Sequence, residues 1–587
     1  MRVAYKNKPF EAFLIVANIT TAVVVVAAFV LLFGLRKQIL PAPLLYAALY
    51  AALFAFVAEK VFRLFNSVSF REFWRANWYE APLLVTLAVL LFATRNHTDA
   101  GTIRHTSVGI YLVLQVIVKV CRTTVALAAS GKNPTRTLIA SFVVLILSGT
   151  GVLMLPRSAT AERVGFVDAL FTATSATCVT GLVVKDIGND YTLMGQLTIL
   201  SLIQLGGLGI VIFGAVFAML LGQALGIRES AAMQDILSDQ MLGRINKMIV
   251  FIFVTTVVVE ALGAVSMFGM WDDVGGRITS IQQQWYCSIF HSISAFCNAG
   301  FGLFSDSLVS YSRCWPVYVV MCPMIILGGL GFSVLYDLVS VAAGRVTVVL
   351  RKVFSTPTLF AGGIAKKMQL QSKIVLVATL VLIVFGMLSI LIFERFTDSG
   401  IWDWRGAFFQ SVTARTAGFN TVKTSGLAAS SKLVLILLMF VGGSPGGTAG
   451  GIKTVTLAVV IMAAAATLNK RSEVQVFRRS LSLLIVRRAI TVTLLFVLIL
   501  FVAGLALTVT ENRSGFTLMD VMFETASALG TVGLSTGITA ALTTAGKLII
   551  IVVMFVGRLG PLTLLASLTF NLKPARYSYP EEVVIVG

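Results

Sequence analysis

Four glycines, Gly181, Gly300, Gly418 and Gly533, close four related segments of this 587-residue chain. The segments read FTATSATCVTGL from Phe171, FHSISAFCNAGF from Phe290, FQSVTARTAGF from Phe409 and FETASALGTVGL from Phe523. Each opens on phenylalanine, passes through small hydroxylated residues and alanine, and ends on the glycine followed by Leu or Phe; the third is one residue shorter. The glycines lie 119, 118 and 115 residues apart. Such residue types do not support acid–base or nucleophilic chemistry. The chain has three histidines, no recurrent carboxylate pair, and six cysteines (Cys121, Cys178, Cys287, Cys297, Cys314, Cys322) without metal-ligand or redox spacing. What repeated glycines supply is backbone. A cation leaving water needs its hydration shell replaced, and a ring of carbonyl oxygens can do this. Glycine reaches the dihedrals that turn successive carbonyls inward without a Cβ clash. A side chain at any of the four would distort the ring and favour a smaller ion.

A second mark follows each glycine. Gly206-Gly207-Leu208-Gly209, Gly328-Gly329-Leu330-Gly331, Gly442-Gly443 and Gly557-Arg558-Leu559-Gly560 begin 25, 28, 24 and 24 residues after it. Marks in this register define four internal repeats. Each repeat has one hydropathy profile: a long apolar span, a half-span of about 10–12 residues, the glycine, then another long span. A helix needs about 20 apolar residues to cross a bilayer, so the half-spans read as re-entrant helices. Irregular backbone at membrane depth is tolerated only where protein buries it or water lines it, and four such loops predict a central aqueous pore. Each half-helix ends just before its glycine, which aims its negative dipole end at the ion. Asp168 and Asp520 lie near the opposite, positive ends, as caps or as steering charges.

Composition places these elements in a bilayer. Hydrophobic residues make up 57% of the chain and charged residues 12%, against roughly a quarter charged in soluble domains. Span-length apolar runs occur at Glu11–Leu35, Arg136–Leu155, Met248–Trp271, Lys373–Phe393 and Ile490–Val509. The first is too long, and lacks the small-residue site, for a cleaved signal. The net charge of +20 gathers in short loops: Arg345, Arg351, Lys352, Lys366, Lys367 and Lys373 in one, Lys470, Arg471, Arg478, Arg479, Arg487 and Arg488 in another. Loops this basic belong on the cytoplasmic side against anionic lipid, not on nucleic acid. They join one repeat to the next, which puts the four glycines toward the outer side. The expected fold is an all-α polytopic membrane protein.

In the third repeat, Gly442, Gly443, Ser444, Pro445, Gly446, Gly447, Thr448, Ala449, Gly450 and Gly451 interrupt a span. Each glycine costs a helix up to about 1 kcal/mol and proline about 3, so the run forms an intramembrane loop, either a hinge or a gate beneath the glycines. It is no phosphate-binding loop, because Ile452 separates Gly451 from Lys453 inside a span. Arg558 stands where the other repeats have Gly207, Gly329 and Gly443. An arginine at that depth is expected to repel cations in the pore or pair with the gate loop; the alternative is a purely structural bond to carbonyls. Glu260 lies inside the first span of repeat two, pairing with another helix or lining water. Thr172, His291, Gln410 and Glu524 share one repeat position, which suggests a hydrogen bond that holds the loop.

These motifs resemble the Trk/Ktr/HKT superfamily of potassium transporters, and within it the KtrB type of membrane subunit. The match runs from about Arg136 to Gly587. It rests on SAFCNAGFGLF from Ser294, TARTAGFNT from Thr413, GGSPGGTAGGIKT from Gly442, GTVGLSTG from Gly530, and an ending with Tyr579-Pro580-Glu581-Glu582 and Val586-Gly587. The resemblance implies potassium coordination around Val179-Thr180-Gly181, Asn298-Ala299-Gly300, Thr416-Ala417-Gly418 and Thr531-Val532-Gly533. Cys178, Cys297 and Gly530 enter the same segments. It also implies a gating role for the glycine-rich loop and Arg558. Members with serine at the first glycine tend to pass sodium; Gly181 implies potassium, with a sodium-permeable or sodium-coupled transporter as the alternative. Further implications are a homodimer in the cell membrane with a cytoplasmic tail, controlled by a cytosolic nucleotide-binding ring of KtrA or TrkA type. No organic cofactor is implied.

Residues 1–135 exceed this resemblance. Spans are expected near 11–35, 40–63, 79–94 and 107–129. The stretch Glu59–Leu84, with Lys60, Arg63, Arg71 and Arg75, faintly resembles part of a voltage sensor. The last span, however, offers only Lys119 and Arg122, and one charge yields about 2.3 kcal/mol per 100 mV, so a packing or assembly domain is expected. The chain then divides into this extension, pore repeats at 136–225, 226–345, 346–470 and 471–570, and a tail at 571–587. A carrier of alternating access predicts inverted repeats, whereas these run in one orientation.

Overall fold

Long apolar runs free of glycine and proline become long helices, and glycine decides where they stop. The computed structural model describes residues 6–93 apart from 38 and 79, 101–116 apart from 102, 134–209 apart from 162, 245–271, 278–353 apart from 279, 367–397 and 403–561. The first spans of the four repeats are Pro134–Leu153, Ile245–Met267, Leu370–Thr397 and Leu483–Thr510. Their outward faces are apolar: Leu380 is 66% exposed and Leu505 70%. Lipid accepts such a surface and water does not. Among the described residues, five helices are long and apolar enough to cross a membrane, or six if the bent pair in repeat two is one span.

The re-entrant helices are Phe166–Thr177, Ile281–Phe296, Trp404–Thr413 and Leu518–Gly530, of 12, 16, 10 and 13 residues. The second exceeds the expected length because Ser280 caps it early, accepting from the Gln283 N–H, and its first turn is polar. Hydropathy does not count such a turn. Asp403 caps the third helix, and Thr517 with Asp520 forms a capping box on the fourth. The opening phenylalanines, Phe171, Phe290, Phe409 and Phe523, are fully buried. They anchor the half-helices among the spans.

The second spans depart from expectation. Leu193–Leu208, Val317–Leu330, Ala429–Phe440 and Thr544–Leu559 all stop short. Three end on a glycine at positive φ, Gly209 at +81°, Gly331 at +86° and Gly560 at +83°, an extended left-handed backbone that breaks the helix and that side chains rarely adopt. In repeat two the chain turns by 104° there and continues as Phe332–Val353. In repeat three it resumes as Thr454–Leu468 only after the glycine-rich loop. Glycine is neutral on a hydropathy scale, so the breaks were hidden within apparently long spans.

The N-terminal extension forms helices Lys8–Phe29, Ala42–Asn66 and Glu80–Ala93, with a further helix over 103–116. It has its own core of Val25, Leu45, Leu49, Phe56 and Leu112. Lys60 pairs with Glu80 (2.5 Å), and Arg63 pairs with Glu59 (2.6 Å) and Glu11 (3.2 Å). These charges brace the bundle from within. Lys119, Arg122, Lys366, the end of repeat one beyond Gly209, and the tail with Tyr579 to Glu582 lie outside the described residues.

Candidate functional site

The four glycine-ended loops share one unusual backbone. Two residues before each glycine the chain is left-handed: Val179 at φ +58°, Asn298 at +58°, Thr416 at +79° and Thr531 at +49°. The glycines are left-handed as well, at +89°, +69°, +83° and +93°. Alternating handedness turns successive carbonyls to one side of the chain, where an extended strand would send them to two. A β-branched residue held at positive φ costs about 1–3 kcal/mol, which the surroundings must offset.

Hydroxyls do so in all four repeats. Ser175 Oγ donates to Leu182 O at 2.8 Å and accepts from the Gly181 N–H at 3.1 Å. Ser294 Oγ donates to Phe301 O at 2.7 Å, Thr413 Oγ1 donates to Phe419 O at 2.8 Å, and Ser527 Oγ accepts from the Gly533 N–H at 3.1 Å. The sequence showed hydroxylated residues recurring here, but not that they reach over the loop to its far side.

The loops close a ring. A Cβ on Gly300 would lie 2.7 Å from Ala417 O and against the Cα of Gly418. One on Gly181 would strike Ala299 O, one on Gly418 would strike Val532 O, and one on Gly533 would strike Thr180 O. Each glycine therefore faces the carbonyl just before the next repeat's glycine, in the order one, two, three, four, one. Among the described residues, the Oγ1 atoms of Thr180, Thr416 and Thr531 are buried without a hydrogen-bond partner, oxygen chemistry that suits a dehydrated cation. Outside the ring opens a cavity of about 330 Å³ whose floor includes all four glycines.

Beneath the ring, the broken spans explain the position of the glycine-rich loop 442–451. A helix end leaves carbonyls unpaired. In repeat two these are Gly328, Gly329 and Leu330, and the loop supplies their donors: Thr448 N to Gly328 O (3.3 Å), Ser444 N to Gly329 O (2.9 Å) and Ser444 Oγ to Leu330 O. Thr448 Oγ1 donates to Gly328 O as well, at 3.2 Å. In return, Phe332 N donates to Gly446 O at 3.0 Å. At its far end the loop touches repeat four, where a Cβ on Gly450 would strike the Thr531 side chain. Arg558 completes the set. Its Nη2 donates to Gly206 O (2.5 Å) and Gly207 O (3.1 Å) at the broken end of repeat one, and its Nη1 donates to Thr448 O. Arg558 thus ties the loop to the opposite repeat. Lys453 Nζ donates to the neighbouring Ala449 O at 2.8 Å.

The other singled-out residues support this frame. Thr172 accepts from Tyr191 (3.2 Å), His291 stacks on Phe304 with ring centroids 5.4 Å apart, and Glu524 accepts from Ser535 (2.8 Å) and Thr539. Gln410 Nε2 reaches Val422 O at 3.5 Å. Each holds the segment that follows its glycine. Glu260 Oε2 accepts from Gln204 Nε2 of repeat one at 3.2 Å, so it pairs with another helix. Asp168 forms an ion pair with Lys547 at 2.8 Å, and Asp520 serves its capping box. Cys178 and Cys297 are fully buried, and Gly207 packs against Cys297 Sγ.

A family model described as TrkH, cation transport protein, matches residues 106–576. The chain belongs to this family. It is 36% identical over 465 residues to the Ktr system potassium uptake protein B of Bacillus subtilis, covering 78% of this chain and 97% of that one. The potassium/sodium uptake protein NtpJ of Enterococcus hirae is 34% identical over 467 residues, covering 78% and 97%. Among solved structures, the potassium transporter TrkH of Vibrio parahaemolyticus superposes with a TM-score of 0.58 at 17% identity, over 84% of this chain and 96% of that one, a likeness of fold. This is a multi-pass membrane protein of a transporter family.

Proposed function

We propose that this chain takes up potassium across the plasma membrane through the ring formed by Gly181, Gly300, Gly418 and Gly533, under control of the 442–451 loop and Arg558. The observation that carries the reading is the closed ring itself. Four left-handed glycines, each against the next repeat's carbonyl, leave no room for a side chain and present carbonyls from four sides. Potassium binds there by exchanging water for backbone oxygens. The loop beneath interrupts its path, and Arg558 adds a fixed positive charge at the same depth. The relatives' names support potassium as the ion. The second reading, a sodium-permeable or sodium-coupled transporter, is favoured by the likeness to the potassium/sodium uptake protein. The working form is a homodimer in lipid, with a cytosolic nucleotide-binding ring of KtrA or TrkA type docked near the basic loops.

The test is rubidium uptake by the protein and its Gly181→Ser variant, in cells lacking their own potassium uptake, with sodium as competitor. Uptake by the parent protein that drops about tenfold, or gives way to sodium, in the variant is expected. Equal uptake by both proteins at equal expression would remove the ring from the mechanism.

A further inference from the structure

The outer cavity wall carries a lysine that the filter does not use. The residue four places after the ring glycine lines this cavity in three repeats: Lys185 in the first, Phe304 in the second and Gly537 in the fourth. Only repeat one puts a cation there. Lys185 is half-buried and forms no ion pair or hydrogen bond among the described residues. The one carboxylate beside it in the cavity wall, Asp186, is occupied: its Oδ1 accepts from the N–H groups of Gly188 (2.8 Å) and Asn189 (3.1 Å), and its Oδ2 accepts from Asn189 Nδ2 at 3.2 Å. An ammonium group therefore shares a cavity of about 330 Å³ with the entrance to the glycine ring, without a bonded counter-charge.

We propose that Lys185 is a determinant of cation affinity, raising the external concentration at which uptake half-saturates. The inference rests on the potassium reading above. A fixed positive charge at the mouth lowers the local concentration of the cation that must enter, as like charges do in a focused cleft. Across several ångströms of water the repulsion amounts to about a two- to fivefold change in occupancy. Salt screens it, because the Debye length falls from about 30 Å at 0.01 M to about 10 Å at 0.1 M. Lys185 acts on arrival at the ring and not on passage through the gate, so the half-saturating concentration moves while the maximal rate stays.

The experiment is initial rubidium uptake into proteoliposomes holding the full chain, at low and at high ionic strength set with an impermeant salt. Lys185→Gln should lower the half-saturating rubidium concentration about two- to fivefold at low ionic strength, and Lys185→Glu should lower it further. Lys185→Arg should match the parent, and all four proteins should converge at high ionic strength. Parent uptake that is saturable and lost in Gly181→Ser, with Lys185→Gln indistinguishable from the parent at low ionic strength, overturns the role of Lys185 alone. An absence of uptake by the parent overturns the potassium reading and this inference with it.

Discussion

At the scale of single residues, the candidate filter depends on atoms that the glycine motif does not itself display. Val179, Thr416 and Thr531 sit at positive φ, where β-branched residues are strained, and the hydroxyls of Ser175, Ser294, Thr413 and Ser527 hold the loops in that state. Ser175→Ala removes both the donor to Leu182 O and the acceptor for the Gly181 N–H. A buried group left without its partner costs about 1–3 kcal/mol, enough to let one side of the ring relax. Rubidium-over-sodium discrimination should fall about fivefold or more while the protein still reaches the membrane, measured by competition uptake. Thr413→Ser keeps the hydroxyl and should behave as the parent.

At the scale of elements, the breaks in the second spans and the glycine-rich loop 442–451 are one construction. Broken helix ends in repeats one and two expose carbonyls, and the loop with Arg558 satisfies both ends. Gly331→Ala places a side chain at φ +86°, against Ser444 Oγ and Pro445 O. The left-handed backbone alone costs about 1–2 kcal/mol, so detergent-solubilised protein should melt at a lower temperature. Arg558→Gln removes the tie between Thr448 O and the end of repeat one. If the loop obstructs the path, maximal rubidium uptake should rise severalfold with little change in the half-saturating concentration; reduced uptake at full expression would argue for a structural brace instead.

At the scale of the molecule, the N-terminal bundle and the pore meet at a polar clasp. Arg36 donates to the carbonyls of Pro156 (3.0 Å), Ala159 (3.0 Å) and Thr160 (2.7 Å), on the segment leading into the first re-entrant helix. That segment bridges to Tyr191, whose hydroxyl meets Thr172 on the same helix. The extension therefore buttresses repeat one from outside. Arg36→Ala should lower the thermal midpoint by about one to two degrees, as expected from about 1–2 kcal/mol in a chain of this size, and leave rubidium uptake measurable. Complete loss of uptake in well-folded Arg36→Ala protein would instead give the extension a direct part in conduction.

Much of this was legible in residue order. Repeats at intervals of 119, 118 and 115 residues, half-spans too short to cross, and glycines in register determined the fourfold plan, because spacing and hydropathy are properties of the chain alone. They also singled out the four glycines, the glycine-rich segment 442–451 and Arg558, which the fold brings close together. The tertiary structure decided what is not additive along a sequence. The partner of each glycine is a carbonyl more than 110 residues away in chain order, and Arg558 reaches Gly206 across 352 residues. The broken spans belong to the same class: Gly209, Gly331 and Gly560 weigh little in hydropathy, and whether a glycine ends a helix or continues it is settled by which donors the fold brings to the exposed carbonyls.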